Sequence, residues 1–381
     1  MATISSVRIT PDEATVAQNL GLLAELGGTW QGEGFNLIAR PDFQGNEPLY
    51  LQLNQTHETL KLDPIGSSIP NRGFGQDDIE LFGLTYLQKI SDAATGGALH
   101  IEPGIWVTQP ATTYPPEQPP EYGQIVARMA TIPHGNSVLA QGGATKFSGP
   151  PVLTAGQAQY SFSVFPSFNS TPFAIPPGKP LTLNAAGSSE KLTAPALTPP
   201  APPFTEYDLT VPDSATNPRT PFGTTEPPLP SAINGVPMQA VINDPIKILQ
   251  STIEHQVADG YTFEGAALNI ATQRTVNFLE QPNKPEGPFS VVDVTDGAGG
   301  IENILFLEGG EPAGGVGPNA QTSLVYATFW IEKVTRPGRE HFMQLQYAQM
   351  TILNFGILKA PAAPILGWPH ISIATLRKSF S

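Results

Sequence analysis

Residues 10–26, TPDEATVAQNLGLLAEL, set Val16, Leu20 and Leu23 at helical spacing among polar neighbours. Thr10 as N-cap, Pro11 at the first helical position and Glu13 completing a capping box give this helix a start. Gly27 or Gly28 gives it a stop, and the element is expected to act as a short amphipathic lid or plug. From Thr29 the period changes from helical to two. LYLQLNQTHETLKL, LFGLTYLQKI, GALHIEPGIWVT, QIVARMATI and NSVLAQGGAT are short runs of strand formers bounded by Gly, Pro, Asn or Asp. The style returns late in the chain with GYTFEGAALNIATQRT, NILFLEGG, QTSLVYATFWIEKV, FMQLQYAQMTILNF and WPHISIATLRK. About ten evenly spaced strands predict an all-β fold, an antiparallel up-and-down barrel.

Between the two sets the pattern breaks down, because 25 of the 41 prolines fall from Pro110 to Pro237. Proline cannot donate to a sheet ladder, so this region is expected to wrap the barrel in extended form. The expectation is a single decorated domain over 1–381, with barrel strands in 27–150 and 240–381. Residues 151–239 form the Pro-rich insertion packed on it.

Composition narrows the function classes. With 33 acidic against 19 basic residues the formal net charge is -14, and no Lys or Arg cluster could neutralise phosphates, which argues against nucleic acid and anionic membrane as partners. The absence of cysteine removes thiolate nucleophiles, Fe–S clusters and Cys-ligated zinc. With no signal-peptide pattern and no long apolar run, a cytoplasmic location without membrane insertion is expected. Charged residues are only 14% of the chain, so a homo-oligomer stays open as a partner class.

Three constellations carry candidate chemistry. In GTWQGEG, alternation puts Gly28, Trp30, Gly32 and Gly34 on one face, so something comes close to that backbone: a ligand, a crossing strand or the preceding helix. Coiling of a small barrel with Trp30 plugging its end accounts for the same pattern. In GGALHIEPGIW, His100 and Glu102 share a face opposite Leu99 and Ile101, either as a surface pair or as part of a site. His370 follows Pro369 at the start of a mixed-polarity strand, as a solvated strand end or as an axial metal ligand at a pocket mouth. The remaining histidines show no zinc spacing, and no G-x-S-x-G occurs.

Taken in order, GTWQGEG, LTYLQKISDAATGGALHIEPGIW, VARMATIPHGNSVLAQGGAT, LQYAQMTILNF and WPHISIATLRK resemble the nitrobindin-like, calycin-related haem-binding β-barrels. The resemblance implies haem b as cofactor, with His370 as the proximal iron ligand. It puts His100 and Leu99 beside the distal side, Met350 in the pocket lining, and the strand of Gly28, Trp30, Gly32 and Gly34 close to the porphyrin. It implies a mainly apolar distal side, a diatomic ligand such as nitric oxide, and isomerisation of peroxynitrite to nitrate. The Pro-rich insertion has no counterpart in that family. Two other classes remain: a haem-free calycin-type barrel binding another hydrophobic small molecule, and a barrel enzyme using His100 and Glu102 as an acid–base pair on an organic substrate.

Overall fold

The computed structural model describes residues 12–42, 47–71, 78–108, 124–132, 136–153, 180–182, 191–193, 229–272, 300–303, 308–309, 317–318, 321–339, 341–355 and 366–379. Ten strands close into one antiparallel barrel. They are β1 Gly28–Asp42, β2 Glu47–Pro64, β3 Ile79–Asp92, β4 Ala98–Thr108, β5 Gln124–Ile132, β6 Asn136–Ser148, β7 Thr262–Ala271, β8 Gln321–Thr335, β9 Phe342–Phe355 and β10 Leu366–Ser379. Each of β1 to β10 pairs with the next in chain order, and β10 pairs back onto β1. The late strands therefore complete the circle that the early ones open, and the segment between β6 and β7 interrupts the chain without interrupting the sheet.

One buried cluster draws side chains from all ten strands, among them Trp30, Leu60, Leu84, Trp106, Val126, Ala140, Leu268, Phe329, Tyr347 and Ala374. A cluster with that membership is the barrel interior. The inner positions are even-numbered on β1 to β7 and on β10, and odd-numbered on β8 and β9. Leu20, Leu23 and Leu26 belong to the same cluster, so the N-terminal helical segment is a plug, as the amphipathic pattern predicts. Its details differ from expectation. Asp12 is the N-cap, with its carboxylate accepting from the Thr15 N–H at 2.7 Å, and α1 covers only Glu13–Leu20. Gly21, at φ 55°, converts the continuation into a tighter 3₁₀ turn through Leu26. Thr10 and Pro11 lie outside the described residues.

A second cluster covers part of the outer wall. Two helices absent from the sequence expectations, α2 Met238–Asn243 and α3 Lys247–Ala258, pack Val241, Ile242, Leu249 and Ile253 onto outward residues of β1, β8, β9 and β10, including Phe35, Trp330, Met350 and Ile373. The α3 sequence KILQSTIEHQVADG does carry the signal: Ile248, Leu249, Ile253 and Gln256 share a helical face, and Gly260 at φ 80° supplies the stop. Most of the Pro-rich insertion lies outside the described residues. At its ends Leu153 and Ile233 are buried in this outer cluster.

Candidate functional site

The glycine-rich start of β1 is filled by the protein itself. A Cβ on Gly32 would collide with the Thr375 carbonyl oxygen, and one on Gly34 with that of Ile373, so these glycines let the backbone of β10 close tightly on β1. Trp30 is completely buried, and its indole N–H donates to the Leu26 carbonyl at 2.7 Å, capping the last turn of the plug. A Cβ on Gly28, at φ 119°, would meet the Lys378 side chain. The close neighbours at these four positions are a crossing strand and the preceding helical segment.

At mid-barrel the interior turns polar. Glu102 of β4 forms a salt bridge with the Arg128 guanidinium of β5, both side chains at most 5% exposed, and also accepts from the Tyr86 hydroxyl. Arg128 Nε donates to Tyr86 Oη at 2.8 Å and its Nη1 to Gln349 at 2.7 Å. The guanidinium lies 5.4–5.9 Å from the ring centroids of Tyr86, Trp106 and Phe329, an aromatic cage that suits a planar, weakly hydrated cation. Burial opposes the charge on Glu102, but Arg128 outweighs it and holds the carboxyl down to about 2. An ionised carboxylate only accepts, so His100 donates its Nε2 proton to Glu102 at 3.1 Å. The His–Glu pair faces the interior and is not a solvated surface pair.

Beside it is a group that the sequence reading missed. Glu58 accepts from the Tyr347 hydroxyl at 2.7 and 2.8 Å and from Gln88 at 3.2 Å. Its burial, partly offset by those hydrogen bonds, pushes the carboxyl up to about 7. Of the two inward carboxyls, Glu102 stays ionised at neutral pH while Glu58 is poised near its midpoint there. The available signal was parity: Glu58 and Gln88 alternate in phase with Leu60, Leu62, Leu84 and Tyr86, which marks them as inward.

Towards the end opposite the plug, β1 and β10 pair Ile38 with His370 and Asn36 with Ser372. The Asn36 side-chain oxygen is 2.9 Å from His370 Nε2 and accepts from Ser372 Oγ at 2.7 Å, so a polar triad holds the imidazole on the inner face. His100 lies towards the same end, four strands round the ring of ten. Met350 projects the other way: its neighbour Gln349 reaches Arg128 inside, whereas Met350 is buried in the outer cluster under the helices. Leu99 falls in a β-bulge, since Ile90 is opposite His100 while Ser91 is opposite Ala98. The structure therefore turns two of the eight expected pocket residues, His100 and His370, towards one region. Among the described residues no group of three His, Cys, Asp or Glu side chains could hold a metal ion, and no helix is long and apolar enough to cross a membrane.

No family model matches the chain, and no curated protein matches it. Among solved structures, the crystal structure of Rv2717c from M. tuberculosis is similar at 10% identity and a TM-score of 0.32, covering 97% of this chain and 100% of that one. The barrel itself is defined by its strand pairing, a closed ring of ten antiparallel strands.

Proposed function

We propose that this protein is a ligand-binding barrel that receives a small molecule at the end of its interior opposite the helical plug. The observation that carries this reading is the inward orientation of His100 and His370 towards that end, while the other end is filled by Trp30, Leu20, Leu23 and Leu26. The paired Glu102 and Arg128 would form the floor, and Asn36, Gln349 and Ser372 the hydrogen-bonding wall. Such a pocket suits the usual form of a small-molecule site, a few placed polar groups in a shaped enclosure.

Haem held through His370 is the specific form of this reading that the sequence resemblance supports. The residues around His370 fit an iron ligand, because Asn36 accepts the Nε2 proton and so fixes the orientation and tautomer of the ring. Asn36 and Ser372 would orient the ring, and Arg128, being fully engaged, would keep Glu102 charged and His100 in one tautomer. Ferric haem bound there would supply an open coordination position for a diatomic such as nitric oxide. The apolar distal wall expected from Leu99 and Met350 does not fit, since Met350 is outside the barrel. The polar wall favours a second reading, a haem-free barrel that grips an organic molecule by hydrogen bonds, with the His100–Glu102 pair available as an acid–base group.

Titration of the purified protein with ferric haem separates the two. A Soret shift that is lost in His370→Ala and retained in His100→Ala is the result expected for axial ligation. No shift in the wild type would reject haem and leave the hydrogen-bonding reading.

A further inference from the structure

Beneath α3, on the outer wall of the barrel, there is a second buried polar group, with no cation in it among the described residues. Glu332, Gln344 and Gln346 are each 0% exposed, and Gln256 of α3 is 9% exposed. The Gln344 amide donates to Glu332 Oε2 at 2.6 Å and to Gln256 Oε1 at 3.2 Å, while Gln256 donates back to Gln344 at 2.7 Å. Gln346 donates to Thr375 Oγ1 at 2.9 Å and approaches the Leu249 carbonyl of α3 at 3.4 Å. Among the described residues, two buried acceptors, Glu332 Oε1 and Gln346 Oε1, have no donor.

The surrounding charges do not reach Glu332. Lys247, Glu254 and His255 of α3, and Asp259 just after its end, are exposed. On β7, Glu264 pairs with Lys333 of β8 at 2.8 Å on the surface. Opposite Glu332, β9 offers only Gln344, and Arg377 of β10 lies over the Phe342 ring. An ionised carboxyl here would be a buried charge with one amide donor and no counter-ion, which is strongly unfavourable. A protonated one gains a donor where two acceptors lack one. Burial pushes the carboxyl up to about 8, against the hydrogen bond from Gln344.

We infer that Glu332 is a protonated clasp that docks α3 on the barrel wall and that its ionisation releases the helix. The released surface is not passive. The same outer cluster braces Phe35, Leu37, Ile371 and Ile373, the residues alternating with Asn36, His370 and Ser372. Docking of α3 therefore stiffens the two strands that carry the His370 triad, and its release loosens that wall.

The test is hydrogen exchange of the α3 amides across a pH series, corrected for intrinsic exchange. In the wild type, the opening equilibrium rises about tenfold per pH unit towards pH 8 and then levels off, because the undocked carboxyl has an ordinary pKa. Glu332→Gln abolishes that slope and keeps α3 protected, while Glu58→Gln, altered inside the barrel, keeps the slope. A flat wild-type profile, or an unchanged slope in Glu332→Gln, overturns the clasp. If Glu332→Gln does not fold, carboxyl ¹³C signals of the wild type decide: Glu332 is protonated at about pH 6 if the inference holds and ionised if it fails.

Discussion

Arg128 and Glu102 stand on adjacent strands and close a salt bridge inside the barrel, with side-chain exposures of 5% and 2%. Two charges this deep persist because each is completed by further partners: Tyr86 and Gln349 for the guanidinium, Tyr86 and His100 for the carboxylate. Removing either partner strands the other. Arg128→Met is expected to destabilise the barrel by about 3–5 kcal/mol, and an apolar double replacement by much less than the sum of the two single changes. Denaturant titration of the three variants measures this; simple additivity would show that the pair does not act as a unit.

The two inner carboxyls give opposite pH dependences. Glu102, held down to about 2, stabilises the fold above its unfolded pKa of 4.5, and that contribution is lost as pH falls through 2. Glu58, pushed up to about 7, contributes stability that is full below 4.5 and is lost as pH rises through 7, on the order of 3 kcal/mol. Melting curves from pH 4 to 9 on wild type and Glu58→Gln check the second limb. The variant should lose less stability over that range, and equal losses would contradict the assignment.

Trp30 joins the plug to the first strand through one hydrogen bond and a completely buried ring. Trp30→Phe keeps much of the packing and should cost about 1 kcal/mol for the stranded Leu26 carbonyl. Trp30→Ala should cost about 3–5 kcal/mol. Chemical denaturation of both variants measures the difference, and equal costs would mean that the indole N–H, and not the ring, holds the plug.

Gly32 and Gly34 exist for strand contact. Gly34→Ala is expected to destabilise by a few kcal/mol, since β10 backbone must move to admit the methyl group. A tolerated alanine at both positions, read by thermal melts, would refute the close β1–β10 approach.

Period-two runs made the barrel legible from the sequence, and an amphipathic segment revealed the plug. The faces were harder to read. In β2, Leu53 is buried outward under the helices while Leu60 and Leu62 are buried inward, so the apolar phase switches within one strand and alternation alone cannot name the inside. The family resemblance, which carries no information on strand phase, put Met350 in the pocket, whereas it is buried in the outer cluster. Glu58, Arg128 and Glu332 were illegible for another reason: a polar residue at an inward or covered position looks solvated until its partners, from strands remote in sequence, are known. The glycines of GTWQGEG were read correctly as a close approach, and three-dimensional pairing was needed to identify β10 as the approaching partner.

The claim that a ligand occupies the barrel end opposite the plug is tested most directly by the ring ¹⁵N signals of the six histidines during addition of zinc protoporphyrin, a diamagnetic probe. The account predicts that His100 and His370 shift together, with His370 most affected, while the exposed His57 and His255 stay in place. Binding that leaves His100 and His370 unmoved would contradict it.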